Sequence, residues 1–288
     1  MAKANYKWIL LGLLSMIWGS SFILIKKGLI GLTAFQLGSF RIVFASLFLL
    51  VVGFKKIMTI PKKQWFYIVV TAFVGTFFPA YLFAMAETEI DSSITAILNA
   101  LTPINTLIIS TLAFHQPFKK QQFIGVLIGF IGSMFLVLNG TFLHPNKAYH
   151  YALLVIVATL CYALNVNLIK KHLSNLHPLS ITTGNFLVLI GPALIILTNT
   201  GFWHQNHPEV VGTSLLYIVV LGVLGTGIAN VMFFKLIQIS QPVFASSVTY
   251  IIPGVALIWG VLDGEKLTLF QLFGGLIVLI GVFLSSKK

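Results

Sequence analysis

Charge is what this sequence most lacks. Only 8% of its 288 residues are charged, and just six of those are acids. A soluble chain of this length needs about a quarter of its residues charged to cover its surface, so a water-soluble fold is excluded. Cysteine is nearly absent as well. The one thiol, Cys161, lies within an apolar run and has no partner for an internal disulfide. Also missing is any polar connection long enough to hold a soluble domain.

What fills the chain is apolar: 58% of residues, at a mean hydropathy of +0.98. The runs are roughly 20 residues long, enough for a helix to cross a ~30 Å hydrocarbon layer. They predict an all-α membrane protein with ten transmembrane helices, at 7–26, 33–54, 64–86, 92–114, 121–139, 149–170, 178–199, 212–236, 242–262 and 268–286. Residues 1–288 read as a single transmembrane domain. Lys3 and Lys7 ahead of Trp8 to Ile25 resemble a leader, but the apolar stretch is long and no small-x-small cleavage site follows. It reads as a retained first helix.

The formal net charge is +12. The lysines sit in small groups at span ends, and no basic face interleaved with aromatics forms a phosphate-tracking groove, so nucleic acid is no expected partner. The lysine bias instead orients the chain. Lys3, Lys7, Lys55, Lys56, Lys62, Lys63, Lys119, Lys120, Lys170, Lys171, Lys235, Lys287 and Lys288 fall on one side, and only Lys26, Lys27, Lys147 and Lys266 on the other. Both termini are therefore expected in the cytoplasm. All six acids, Glu87, Glu89, Asp91, Glu209, Asp263 and Glu265, fall at outer span ends.

The two halves match each other. A shift of 144 aligns Lys26-Lys27 with Lys170-Lys171, Trp18 with Tyr162 and Ser21 with Asn165. A shift of 150 aligns Tyr67 to Val70 with Tyr217 to Val220, Gly75-Thr76 with Gly225-Thr226, and Pro103 with Pro253. Gln122, Gly125 and Gly132 match Gln271, Gly274 and Gly281 at 149. Residues 7–140 and 149–286 are thus expected to be repeats of five helices each. Five is odd, so the second copy enters the membrane inverted. Inverted repeats are the architecture of alternating-access carriers, with the substrate site at mid-membrane where the repeats meet.

These features carry a resemblance. Trp18-Gly19-Ser20-Ser21-Phe22 with Lys26, then Arg41, Leu101-Thr102-Pro103, Tyr250-Ile251-Ile252-Pro253, and Gly264-Glu265-Lys266-Leu267-Thr268 are similar to ten-helix carriers of the drug/metabolite transporter superfamily, of the EamA type. The resemblance runs over essentially the full length. Such carriers usually repeat the Gly-Glu signature after the fourth helix, where this chain has His115-Gln116-Pro117. The resemblance implies export of amino acids or related metabolites across a bacterial inner membrane, with no cofactor. It leaves the substrate and the oligomeric state open.

Polar groups inside a bilayer are costly and tend to face a cavity or each other. Trp18 and Ser21 share a face of the first helix, and Tyr162 and Asn165 repeat that spacing on the sixth. Thr95, Asn99 and Thr102 align on the fourth helix, Thr226 and Asn230 lie on the eighth, and Ser247 and Tyr250 on the ninth. The expected substrate-binding set is Trp18, Ser21, Asn99, Tyr162, Asn165, Asn230, Ser247 and Tyr250, lining a neutral, aromatic-walled cavity. The competing reading is that such groups only hold helices together. Pro103 and Pro253 mark a shared kink or hinge, and Arg41, the sole arginine, is expected to support the packing, with an anionic substrate group as the alternative partner. His204 and His207 have no third ligand nearby, so no metal is expected.

Other functions fit less well. A lipid-modifying enzyme needs acids, histidines or a nucleophile gathered at one depth, and here acids keep to span ends and histidines to loops. A channel or structural subunit without a conformational cycle fits inverted halves less well, though they do not exclude it. The small four-helix multidrug antiporters depend on a carboxylate in the first helix, yet Met1 to Lys27 contains no acid. A nucleotide-sugar antiporter would need more cations facing the cavity than Arg41 and Lys235.

Overall fold

The structure is a computed structural model that describes residues 2–115, 120–143, 148–204, 208–265 and 268–286. Among them no strand occurs. That follows from the solvent: hydrocarbon offers backbone amides no hydrogen bonds, so each segment must satisfy its own, and a helix does this locally.

Ten long helical stretches appear among the described residues. They are α1 (Ala2–Gly28), α2 (Ala34–Ile57), α3 (Lys62–Ala86), α4 (Ser92–Leu112), α5 (Lys120–Leu143), α6 (Ala152–Leu173), α7 (Pro178–Asn199), α8 (Glu209–Ile239), α9 (Pro242–Leu262) and α10 (Leu269–Ser286). Eight are long and apolar enough to cross a membrane. The apolar parts of α5 and α10, Phe123–Gly132 and Leu269–Gly281, are shorter than a full crossing. Two helices open on reciprocal caps. The Gln36 side chain accepts from Thr33 N at 3.0 Å while Thr33 Oγ1 accepts from Gln36 N, and Gln271 does the same for Thr268 at 2.9 Å.

Several helices are interrupted where the sequence suggests continuity. α3 widens into a π-helical turn at Phe73–Phe77, and α8 does so at Leu221–Ile228. α4 breaks at Ala100 and Leu101, before Pro103. α9 tightens into a 3₁₀ turn over Ser247–Tyr250, before Pro253. Proline lacks an N–H and clashes with the carbonyl four residues back, so it starts a helical segment more easily than it continues one. Both prolines sit in the first turn of their second segment.

The packing pairs equivalent helices of the two halves. α2 lies against α7, and α5 against α10. α1 packs on α9 as α6 packs on α4, and α8 meets α1 and α2 as α3 meets α6 and α7. The turns after α4 and α9 also match: His115 has φ +53° and Gly264, 149 residues later, φ +83°. Small polar groups tie helices together, with Asn105 Nδ2 on Thr159 Oγ1 at 2.8 Å and Ser110 Oγ on Asn167 Oδ1 at 2.7 Å between α4 and α6.

The α5–α10 pair rests on backbone contact. A Cβ added at Gly281 would lie 2.6 Å from Gly129 Cα and 2.8 Å from Gly125 O, and one at Gly132 would lie 2.7 Å from Val278 N. Such overlaps cannot be relieved by turning a side chain. Gly281→Val and Gly132→Val are each expected to destabilise the protein by about 1–3 kcal/mol, read as a lower melting temperature in detergent. Gly12→Val, where an added Cβ meets nothing within 4 Å, should leave it unchanged.

Candidate functional site

A central cavity of roughly 800 Å³ including its mouth opens where the two halves meet. Trp18 and Ser21 of α1, Asn99 of α4, Tyr162 and Asn165 of α6, and Asn230 of α8 all line it. Arg41 of α2 joins them, as do Thr76 and Thr226. The matched positions of the halves therefore meet in one wall: Trp18 with Tyr162, Ser21 with Asn165, and Gly75-Thr76 with Gly225-Thr226.

The π turns explain why those glycines and threonines are there. A π turn frees carbonyls and rotates the residues beyond it. Trp18 Nε1 takes the freed Gly225 carbonyl at 2.9 Å, and Thr226 Oγ1 donates to Leu221 O at 3.1 Å. The glycines also make room. A Cβ at Gly75 would strike the Asn165 side chain at 2.5 Å, and one at Gly225 would meet Ser21 Oγ at 2.9 Å. The rings are braced in turn: Trp18 stands edge-on to Phe233 at 4.8 Å between centroids, and Tyr162 stacks on Phe83 at 5.9 Å.

The ninth helix departs from expectation. Ser246 and Thr249 line the cavity, whereas Ser247 and Tyr250 do not. The Ser247 hydroxyl donates to Phe244 O at 2.7 Å, and Tyr250 packs against the central apolar cluster. The inward residues Ser246, Thr249 and Ile252 recur every third position, the period of the 3₁₀ turn over Ser247–Tyr250. Thr95 is fully buried and bonds back to Asp91 O.

Charges gather at one end of the bundle. Lys26 Nζ lies 2.7 Å from Asp263 Oδ2 and 2.9 Å from Glu265 Oε1, and Lys27 pairs with Asp263. Ser92 and Ser93, at the start of α4, donate their hydroxyls to Glu265 at 2.6 and 2.5 Å. This latch joins α1, α4 and the turn after α9. Burial works against ionising Glu265, but the two serine hydroxyls and the Lys26 ammonium outweigh it and hold the carboxyl below its ordinary range. Asp263 behaves alike, with Lys26 and Lys27 overcoming the burial.

The repeat-related lysine does something different. Lys170 Nζ donates to the carbonyls of Ile237, Gln238 and Ser240, at 3.2, 3.2 and 2.6 Å, where α8 ends. No carboxylate is involved.

Glu87, just past α3, reads in the sequence as an exposed acid but is 8% exposed, with neither carboxyl oxygen hydrogen-bonded to a described residue. Burial, then the charge of Glu265, push its carboxyl well up, against the opposing pull of Arg41 and Lys26. Among the described residues no group of three His, Cys, Asp or Glu could hold a metal. His207 lies outside the described residues.

An apolar helical bundle around a cavity that carries a few polar groups is the build of a multi-pass membrane transporter. The chain belongs to the EamA-like transporter family, whose model matches it twice, over residues 6–138 and 150–287. Among its relatives are two uncharacterised transporters of Bacillus subtilis. YoaV is 23% identical over 96% of each chain, and YdfC is 27% identical over 94% of this chain and 88% of its own. Protein PagO of Salmonella typhimurium is 25% identical over 85% and 80%. A solved crystal structure shares the fold, with TM-score 0.68 over 98% of this chain and 96% of that one at 13% identity.

Two isosteric substitutions separate the two kinds of buried acid. An acid whose native pKa is raised costs stability progressively as pH climbs from its ordinary range up to that raised value; one whose pKa is lowered contributes stability that is lost as pH falls from its ordinary range through the lowered value. Glu87→Gln should therefore raise the melting temperature at and above neutral pH and flatten its decline with rising pH. Glu265→Gln should lower it by the equivalent of about 1–3 kcal/mol, with the difference from wild type vanishing only in acid, below the ordinary carboxylate range. Melting curves across pH check both signs.

Proposed function

We propose that this protein is a secondary carrier that moves small neutral or zwitterionic metabolites, amino acids and their relatives, across a bacterial inner membrane by alternating access. Its ten helical stretches are read as ten crossings in two inverted halves, 7–140 and 149–286, with both termini in the cytoplasm. Membership of a transporter family and the exchange of equivalent helix contacts between the halves support this reading. The outward direction rests on the family resemblance.

The observation that carries the proposal is the composition of the cavity wall. Positions matched between the halves converge there, and no acid lies among the lining residues. A cation brought into such a cavity finds no carboxylate, and an uncompensated charge in low dielectric is expensive. Hydroxyls, amides and rings suit a neutral or zwitterionic solute, with ring faces available to an ammonium. On this reading the Lys26 latch closes the outer side, and α1, α4 and α9 must part there for the cavity to face outward.

Two measurements test it. In proteoliposomes, neutral amino acids should compete for flux and exchange across the membrane, while a quaternary ammonium dye should not. Dye uptake indifferent to excess neutral amino acids overturns the substrate class. Trp18→Ala and Tyr162→Ala should each reduce flux by about tenfold or more per mole of folded, inserted protein, with lower melting temperatures because both rings also brace the packing. Unchanged flux in both variants removes the cavity from the transport path.

A further inference from the structure

Arg41 is the one charged group in the cavity wall. It is only 8% exposed, and its Nε donates to Thr226 Oγ1 at 2.7 Å. That threonine is already oriented: its own proton goes to Leu221 O, across the π turn, leaving a lone pair for the guanidinium. A guanidinium has five N–H donors, and one is thereby used. The terminal nitrogens make no hydrogen bond or ion pair with any described residue. Glu87, the carboxylate that acts on it from a distance, does not relieve this, being itself pushed towards its neutral form by burial.

A second group in the same wall is also unspent. Asn165, on α6 of the other half, is 2% exposed, and its side-chain oxygen is buried without a hydrogen-bond partner. The cavity thus presents a planar cationic fork from one half and an orphaned acceptor from the other. Leaving such groups unpaired in a buried site is costly, and a ligand that satisfies both removes the cost.

We propose that Arg41 is the carboxylate-binding group of the cavity and that the carried solutes are zwitterions, with the carboxylate on the terminal nitrogens of Arg41 and the ammonium towards Asn165. This rests on the reading of the cavity as the transport site. The fork geometry selects a carboxylate, which accepts two parallel N–H bonds. A lone cation also argues against a diphosphate, whose charge needs several. The ammonium has no acid to meet, so a neutral oxygen and the faces of Trp18 and Tyr162 are what the wall offers it.

The test uses the full-length purified protein and three matched sets of probes. One is a mixture of the neutral amino acids, the second their carboxamides, and the third the amines left by removing the carboxyl group. Each set competes for binding and flux, with thermal stabilisation read in parallel. The amino acids should bind, and both other sets should be weaker by about tenfold to a hundredfold. Arg41→Lys, which keeps the charge and loses the fork, should weaken the amino acids while leaving the amides unchanged. Thr226→Val, which frees Nε, should weaken them less.

Carboxamides binding as well as the acids overturn the carboxylate subsite. If that binding and flux still fall in Trp18→Ala, the carrier reading stands without the subsite. Response to none of the three sets overturns the subsite as well, and Trp18-dependent flux of a sugar or nucleoside in that case again keeps the carrier. Should the Arg41 variants fail to fold, the comparison of acids with amides on the wild-type protein decides alone.

Discussion

Hydrocarbon supplies no hydrogen bonds, and this protein breaks its helices in the middle of it. Every break releases backbone carbonyls that water cannot reach, so each must be met by something nearby. Trp18 Nε1 takes Gly225 O, Thr226 takes Leu221 O, and Thr102 Oγ1 takes Asn99 O at 2.7 Å beside the α4 break. In α9, Thr249 Oγ1 takes Ser246 O at 2.9 Å. These side chains either line the cavity or adjoin it. The polar groups in this largely apolar wall sit where the helices around it are interrupted, and the interruptions persist because those side chains satisfy them. Site and fold are one arrangement of hydrogen bonds.

The two ends of the bundle are held by different physics. At the Lys26 end, ammonium meets carboxylate, and two serine hydroxyls orient the acid. At the Lys170 end the same lysine, carried by the other half, meets only backbone carbonyls. The difference traces to His115-Gln116-Pro117 standing where the second half has Gly264-Glu265-Lys266. A charge pair whose lysine stays 32% exposed responds to ionic strength and acid, whereas a lysine capping carbonyls responds much less. On the proposed reading of the halves as repeats, equivalent ends of the bundle need not be held alike.

Much of this was legible from residues alone. Apolar runs announce the helices, and the duplication pairs Trp18 with Tyr162 and Ser21 with Asn165 before any coordinates exist, because matching positions of two repeats face the same axis. What stayed hidden depended on local backbone geometry. Ser247 and Tyr250 share their spacing of three with Ser246 and Thr249, so spacing alone does not choose between these faces of α9, and Ser246 and Thr249 are the pair that lines the cavity. Glu87 looks like any solvated acid at a helix end, since burial there comes from helices distant in sequence. Arg41 was readable as a buried cation; that its terminal nitrogens would be left unspent required knowing where Thr226 sits.

The π turns of α3 and α8 have one more implication. A π turn holds an extra residue within an otherwise α-helical path, so it stores length rather than chemistry. Removing a single residue from Phe73–Phe77 or Leu221–Ile228 would let the helix revert to α and rotate everything beyond it by about 100°. Thr76 or Thr226 would then leave the wall with its identity unchanged. Both halves hold their surplus residue at the same place, so the spelling of this cavity is partly a matter of counting. A point-substitution scan would not see that dependence; a single-codon deletion would.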